Sequence, residues 1–364
     1  MKKAIAIAVF LILFLNFPFG ALASEGSVDN ILPQEAEELL LENGFTSLDA
    51  ESLINLTPNE IFRYIKDCIK KEIDAPFILF YMLFLVIIIT SIVSGINGGF
   101  LSHELEKSFS AVGILAVCTT AVVPLIACLE ESRLFINQMN GFVQVFAPVL
   151  SGIMISGGQV NSGAGYQMVI LAASEFVAVL LSAVILPLIF VYLAFVIVGR
   201  ISAGFQPDSI TASVKSTVNW TLSLVMTLFV GLITIKGIIG VGADSVALRT
   251  GKFFIGSFVP AVGGALSEAA ATVQKGVGLI KNTTGIFGII AACLYFIPPL
   301  IKVLIYKFTC NLSAIIGEML GAEKIAGLVR DISAVLGLIS SVILSYGTLV
   351  VLSTAVTLII GGGN

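Results

Sequence analysis

Apolar residues come in runs long enough to cross a bilayer, and polar residues gather between the runs. Residues 77–97 form the first clear run, and 109–129 the second, with Pro124 near its end. Residues 142–156 span only 15 positions and hold Pro148. At helical rise that is ~22 Å against a ~30 Å hydrocarbon core. It reads as a re-entrant, broken or tilted short element. Residues 166–199 are interrupted only by Glu175, Pro187 and a few hydroxyls. This run predicts one long kinked helix or two helices hinged near Pro187. Further runs occupy 220–239, 285–303 with Pro298 and Pro299, and 332–360. Between the last two, Leu312, Ile315, Ile316, Met319 and Leu320 recur at helical spacing and predict an amphipathic helix over 305–331 that lies at the interface or packs against the bundle. The pattern predicts an all-α polytopic membrane protein with about six or seven membrane helices, some kinked or broken.

The start of the chain follows a different pattern. Lys2 and Lys3 precede an apolar stretch that Pro18 and Gly20 break, and Ala21-Leu22-Ala23 supplies small residues for a peptidase. Residues 1–23 therefore predict a signal peptide cleaved after Ala23, with an uncleaved anchor as the alternative. Residues 24–76 carry twelve acids and four bases and would form a short acidic extracytoplasmic helical region. A helix is expected around 34–42, ended by Asn43-Gly44. Thr57-Pro58-Asn59-Glu60 is a capping box with proline at the first helical position. Ile61, Ile65, Cys68, Ile69 and Ile73 follow as an apolar stripe. The region is either a cap on the membrane surface or a docking module. Residues 77–364 form the polytopic domain.

Composition removes the soluble alternative. Of 364 residues 57% are hydrophobic and 12% charged, and mean hydropathy is +1.05. Soluble domains carry about 25% charged residues. The net charge of -4 provides no basic field for nucleic acid. The five cysteines form no CxxC pair and read as small hydrophobes. His103 is the single histidine and cannot assemble a metal hydrolase site by itself. The chain contains no HExxH, GxSxG or phosphate-loop sequence. A non-enzymatic protein with no cofactor and no metal is expected. Any ATP-driven step would borrow its motor from another chain.

Two features stand out as candidate sites. Glu175 lies inside the 166–199 run, where an ionised carboxylate costs roughly 2.5 kcal/mol or more. It is either an ion, proton or pore-lining site or an interfacial carboxylate. Residues 240–284 form a glycine-rich, charged insert that still keeps Phe253, Phe254, Phe258 and Val259 together. Arg249 and Lys252 share one helical face beside the phenylalanines, Pro260 ends that helix, and Gly263-Gly264 turn the chain. This predicts two short amphipathic helices in a hairpin that lies on or dips into the membrane. Gly95-x-x-x-Gly99 and Gly317-x-x-x-Gly321 permit close helix approach, leaving both internal packing and a homo-oligomer open. Charge bias favours 200–215 and 302–307 as cytoplasmic, which would place 240–284 outside.

The stretch Ala247-Leu248-Arg249-Thr250-Gly251-Lys252-Phe253-Phe254-Ile255-Gly256-Ser257-Phe258-Val259-Pro260-Ala261-Val262-Gly263-Gly264 resembles a recurrent segment of the stage III sporulation protein AE family. Leu279-Ile280-Lys281-Asn282-Thr283-Thr284-Gly285-Ile286 continues the likeness, as does the layout of signal, acidic region and polytopic domain. The resemblance implies a subunit of a channel or secretion-like complex that joins mother cell and forespore and supports forespore development. It implies a place in the mother-cell membrane around the forespore, with an ATPase and ring-forming subunits as partners. It supplies no catalytic residues. The alternative is an autonomous secondary transporter or permease: proline-broken spans suit discontinuous transporter helices, and Glu175 would be the coupling site.

Overall fold

The structure is a computed structural model that describes residues 58–96, 103–201, 208–258 and 263–361. The expected signal peptide, the first part of the acidic region, Gly99 and Pro260 lie outside the described residues. The described residues are helical, with no strand among them. Helix α1 is Pro58–Glu72, α2 Asp74–Ile96, α3 His103–Ser156 and α4 Val160–Leu180. A π-helical turn at Leu181–Ile185 leads into α5, Leu186–Ile201; α6 is Asp208–Phe258, α7 Gly263–Met319 and α8 Glu323–Gly361. Among the described residues six stretches are long and apolar enough to cross a membrane: Asp74–Val93, Ala111–Ser156, Val160–Ile201, Ser209–Lys236, Lys275–Met319 and Glu323–Val356.

Several elements that look separate in the sequence are fused. The runs at 109–129 and 142–156 belong to the single helix α3, which passes through Pro124 and Pro148. The 305–331 region is not one separate helix. Its first part is the end of α7 and its last part the start of α8, joined by a turn at Gly321. There the Gly321 N–H donates to the Glu318 carbonyl at 3.1 Å and the Ala322 N–H to the Gly317 carbonyl at 2.8 Å. Gly321 has φ +77, the left-handed geometry of a Schellman ending that glycine adopts without strain. Gly317 serves close approach instead, since a Cβ there would stand 3.1 Å from that of Ala326.

The 166–199 run resolves as two helices in continuous register. A proline at 187 cannot donate to the Ala183 carbonyl and its ring crowds that oxygen. The π-helical turn just before it widens the ladder, with the Leu186 N–H donating to the Leu181 carbonyl. One extra residue absorbs the proline without breaking the span.

Helix α8 lies at the centre and packs against α3, α4, α5, α6 and α7. Its Tyr346, Val342, Ile343, Ile339, Ile332 and Val329 are fully buried. Helices in lipid gain little from apolar burial alone, so close packing must hold them. Small residues provide it. A Cβ on Gly347 would stand 2.8 Å from Phe296, and one on Gly113 would stand 2.7 Å from both Ile325 and Thr90. A Cβ on Gly288 would collide with the Phe146 ring. That ring is buried and stacked on Phe142 at 5.2 Å, so it cannot yield freely. Gly288→Ala is therefore expected to destabilise the bundle by ~1–3 kcal/mol, read as a lower unfolding temperature in detergent. Gly231→Ala, with nothing within 4 Å of the added carbon, should leave that temperature unchanged.

Candidate functional site

Three polar groupings interrupt the apolar bundle. The first surrounds Glu175, on the outward face of α4. Asn140 and Gln144, one turn apart on α3, donate from their amide nitrogens to Glu175 Oε2 at 2.7 and 3.3 Å. The Tyr346 hydroxyl of α8 lies 3.3 Å from Asn140 Oδ1 and 3.5 Å from the Ser174 carbonyl, placed to donate to either. The carboxylate is thus oriented by two amides but remains exposed. Its apolar neighbours along α4 are exposed too, Met168 at 74% and Phe176 at 64%. Such a group can accept a proton, hold a cation or meet a donor on another chain. Sequence reasoning found Glu175 and missed Asn140 and Gln144. Their i, i+4 spacing was the available signal, hidden because Asn140 falls in the gap between the runs 109–129 and 142–156 and Gln144 inside the second run.

The second grouping joins α1 to the bundle. Pro298 and Pro299 remove two donors from the ladder of α7, and Pro298 leaves the Leu294 carbonyl without its helical partner. The Tyr64 hydroxyl of α1 donates to that carbonyl at 2.8 Å. Burial, with Cys68 alongside, pushes the Tyr64 phenol above its ordinary pKa, so the donor keeps its proton. Burial pushes the Cys68 thiol up as well. Nearby, Lys302 of α7 pairs with Glu72 at 3.4 Å and with Glu131 of α3 at 2.8 Å. A cavity of about 420 Å³ opens here between α1, α3 and the double proline. Tyr64 and Cys68 turn inward, whereas Ile69 and Ile73 of the predicted stripe remain exposed. Lys302 sits beside α1, while Arg200 reaches Asp331 near the α7–α8 turn, with bonds of 2.9 Å from Nε and 2.6 Å from Nη2.

The third grouping involves the 240–284 insert. It is not two short helices: its arms are the end of α6 and the start of α7, each continuous with a span. Arg249, Lys252, Phe253, Phe254 and Phe258 ride on the last turns of α6, and Gly263 and Gly264 open α7. What fastens the arms is a pair of residues that sequence reasoning did not single out. Asp244 of α6 is 3% exposed and accepts hydrogen bonds at the start of α4, from the Asn161 N–H at 2.9 Å and the Ser162 N–H at 2.8 Å. Burial pushes its carboxyl up, but the bonds from Ser162 and Asn161 outweigh burial and hold it below the ordinary carboxylate value. Lys281 of α7 is also 3% exposed and lies 3.5 Å from the Gln159 side-chain oxygen. No local motif announces either contact, because the partners are distant in sequence.

Among the described residues no three His, Cys, Asp or Glu side chains group to hold a metal ion. The fold and these sites define a polytopic membrane protein whose chemistry-bearing groups orient and connect helices. The family model for stage III sporulation protein AE matches residues 46–361, and the chain belongs to that family. Stage III sporulation protein AE of Bacillus subtilis (strain 168) is 26% identical over 340 residues, covering 92% of this chain and 82% of that protein. No solved structure matches the chain.

Tyr64→Phe tests how α1 is held. Losing the donor to a buried carbonyl should cost ~1–3 kcal/mol. It should raise amide hydrogen exchange across α1 while the core of α8 stays protected. Unchanged exchange in α1 would show that the bond does not secure it.

Proposed function

We propose that this multi-pass membrane protein of the sporulation family is a non-enzymatic subunit of a channel or secretion-like complex. The complex links mother cell and forespore and is needed for forespore development. The subunit resides in the mother-cell membrane surrounding the forespore. Its partners are other stage III sporulation membrane proteins, including an ATPase and ring-forming subunits, and it uses no cofactor of its own. Family membership supports the sporulation setting. The observation that carries the subunit reading is the Glu175 group. An ionised carboxylate facing lipid at the middle of a span costs roughly 2.5–3.5 kcal/mol. Asn140 and Gln144 hold it outward rather than burying it, so a water-filled path or another polypeptide covers that face in the working complex. The insert that carries Arg249, Lys252, Phe253, Phe254, Phe258, Pro260, Gly263 and Gly264 in its sequence is a second assembly element.

The alternative is an autonomous secondary transporter with Glu175 as its coupling site. Discontinuous helices would favour it. Helices α3 and α7, however, run unbroken through Pro124, Pro148, Pro298 and Pro299, and a π-helical turn carries the α4–α5 run past Pro187.

Isolation of the native protein in mild detergent separates the two readings. Stable co-isolation with an ATPase and ring proteins is expected. Solute uptake by the lone protein in liposomes, without co-isolation, would overturn the subunit reading. In the same strain Glu175→Ala is expected to impair spore formation while the protein stays inserted and abundant. Wild-type sporulation would remove Glu175 from the mechanism.

A further inference from the structure

Both arms of the 240–284 insert are fastened to one turn. Helix α3 ends and α4 begins at Gly157 to Val160, where Gly158 has φ +84. The Gly158 N–H donates to the Ile155 carbonyl at 2.9 Å and the Gln159 N–H to the Met154 carbonyl at 2.9 Å. This Schellman ending fixes the turn. The first amides of α4 then need partners from outside the helix. Gln159 occupies the cap position but makes no side-chain capping bond.

The missing cap comes from α6. One oxygen of Asp244 accepts from the Asn161 backbone N–H at 2.9 Å and from its side-chain amide at 3.1 Å. The other oxygen accepts from the Ser162 N–H at 2.8 Å. A carboxylate at a helix N-terminus meets free donors and the positive end of the dipole, and charged hydrogen bonds of this kind are the stronger class. On the other arm, Lys281 reaches Gln159 at 3.5 Å. One turn earlier Val277 covers Gly157, where a Cβ would stand 2.9 Å from it. So α6 grips the turn from one side and α7 from the other.

Past these contacts the described residues of both arms are exposed. Val246 is 65% exposed, and Thr250 and Lys275 are exposed too. We infer that Asp244 is a positioning residue and that the Gly157–Ser162 turn is the pivot of a projecting arm, whose angle to the bundle the Asp244 carboxylate sets. The assignment concerns the chain alone and stands whichever partner the arm meets.

Dipolar distance measurements on the full-length protein in nanodiscs test this. Nitroxides go on Thr250→Cys of the arm and Met168→Cys on the outer face of α4, in a Cys68→Ser background, since the other native cysteines are buried. The expected result is one narrow distance that Asp244→Asn and Asp244→Ala both replace with a broad distribution. A control pair at Met168→Cys and Leu134→Cys, within the bundle, should keep its narrow distance in both variants. An unchanged arm distance in both variants would overturn the inference. So would equal broadening of the control pair, which would make Asp244 a residue of general stability.

Discussion

The helices are too long for one hydrocarbon layer, and the other features of the molecule answer to that. Helix α8 has 39 residues, α3 has 54 and α7 has 57. At helical rise these reach ~58, ~80 and ~85 Å, against a hydrocarbon core of ~30 Å. A bundle of this length needs polar groups part-way along its sides. Glu72, Lys302 and Glu131 supply them, and Lys302 lies ~26 Å along α7 from its end at Met319.

Apolar surroundings also require every backbone carbonyl to find a donor. The prolines put that requirement under strain, and the fold meets it in different ways. Pro187 is absorbed by a π-helical turn in its own helix. Pro298 is answered from another element, by the Tyr64 hydroxyl. The second answer turns a defect in α7 into the docking point of α1. The same logic recurs at α4, whose first amides are met by Asp244 from α6. Local gaps in hydrogen bonding have become the joints between elements.

This explains what could be read in advance. The apolar runs, the start of α1 at Pro58 and the anomaly of Glu175 follow from local composition, so they were legible. Continuity was not. The run 109–129 read as a complete membrane helix, yet α3 carries on past it, and Glu131 pairs there with Lys302 of α7. The amphipathic period at 312–320 suggested a helix of its own, but it is the end of α7, whose Ser313, Ala314 and Gly317 are buried while Leu312, Ile315 and Met319 are exposed. The insert drew notice through its aromatic and basic residues. The residue that fastens it, Asp244, gave no local sign, since its bonds go to residues more than eighty positions away.

The account stands on the claim that the outward face around Glu175 does not meet lipid in the working complex. Oxygen accessibility of a nitroxide at Phe176→Cys, compared with one at Met82→Cys on the exposed side of α2, measures this in native membranes. Low oxygen accessibility at position 176, beside the high value of a lipid-facing site at position 82, is the result the account predicts. Equal, high accessibility at both positions would contradict it.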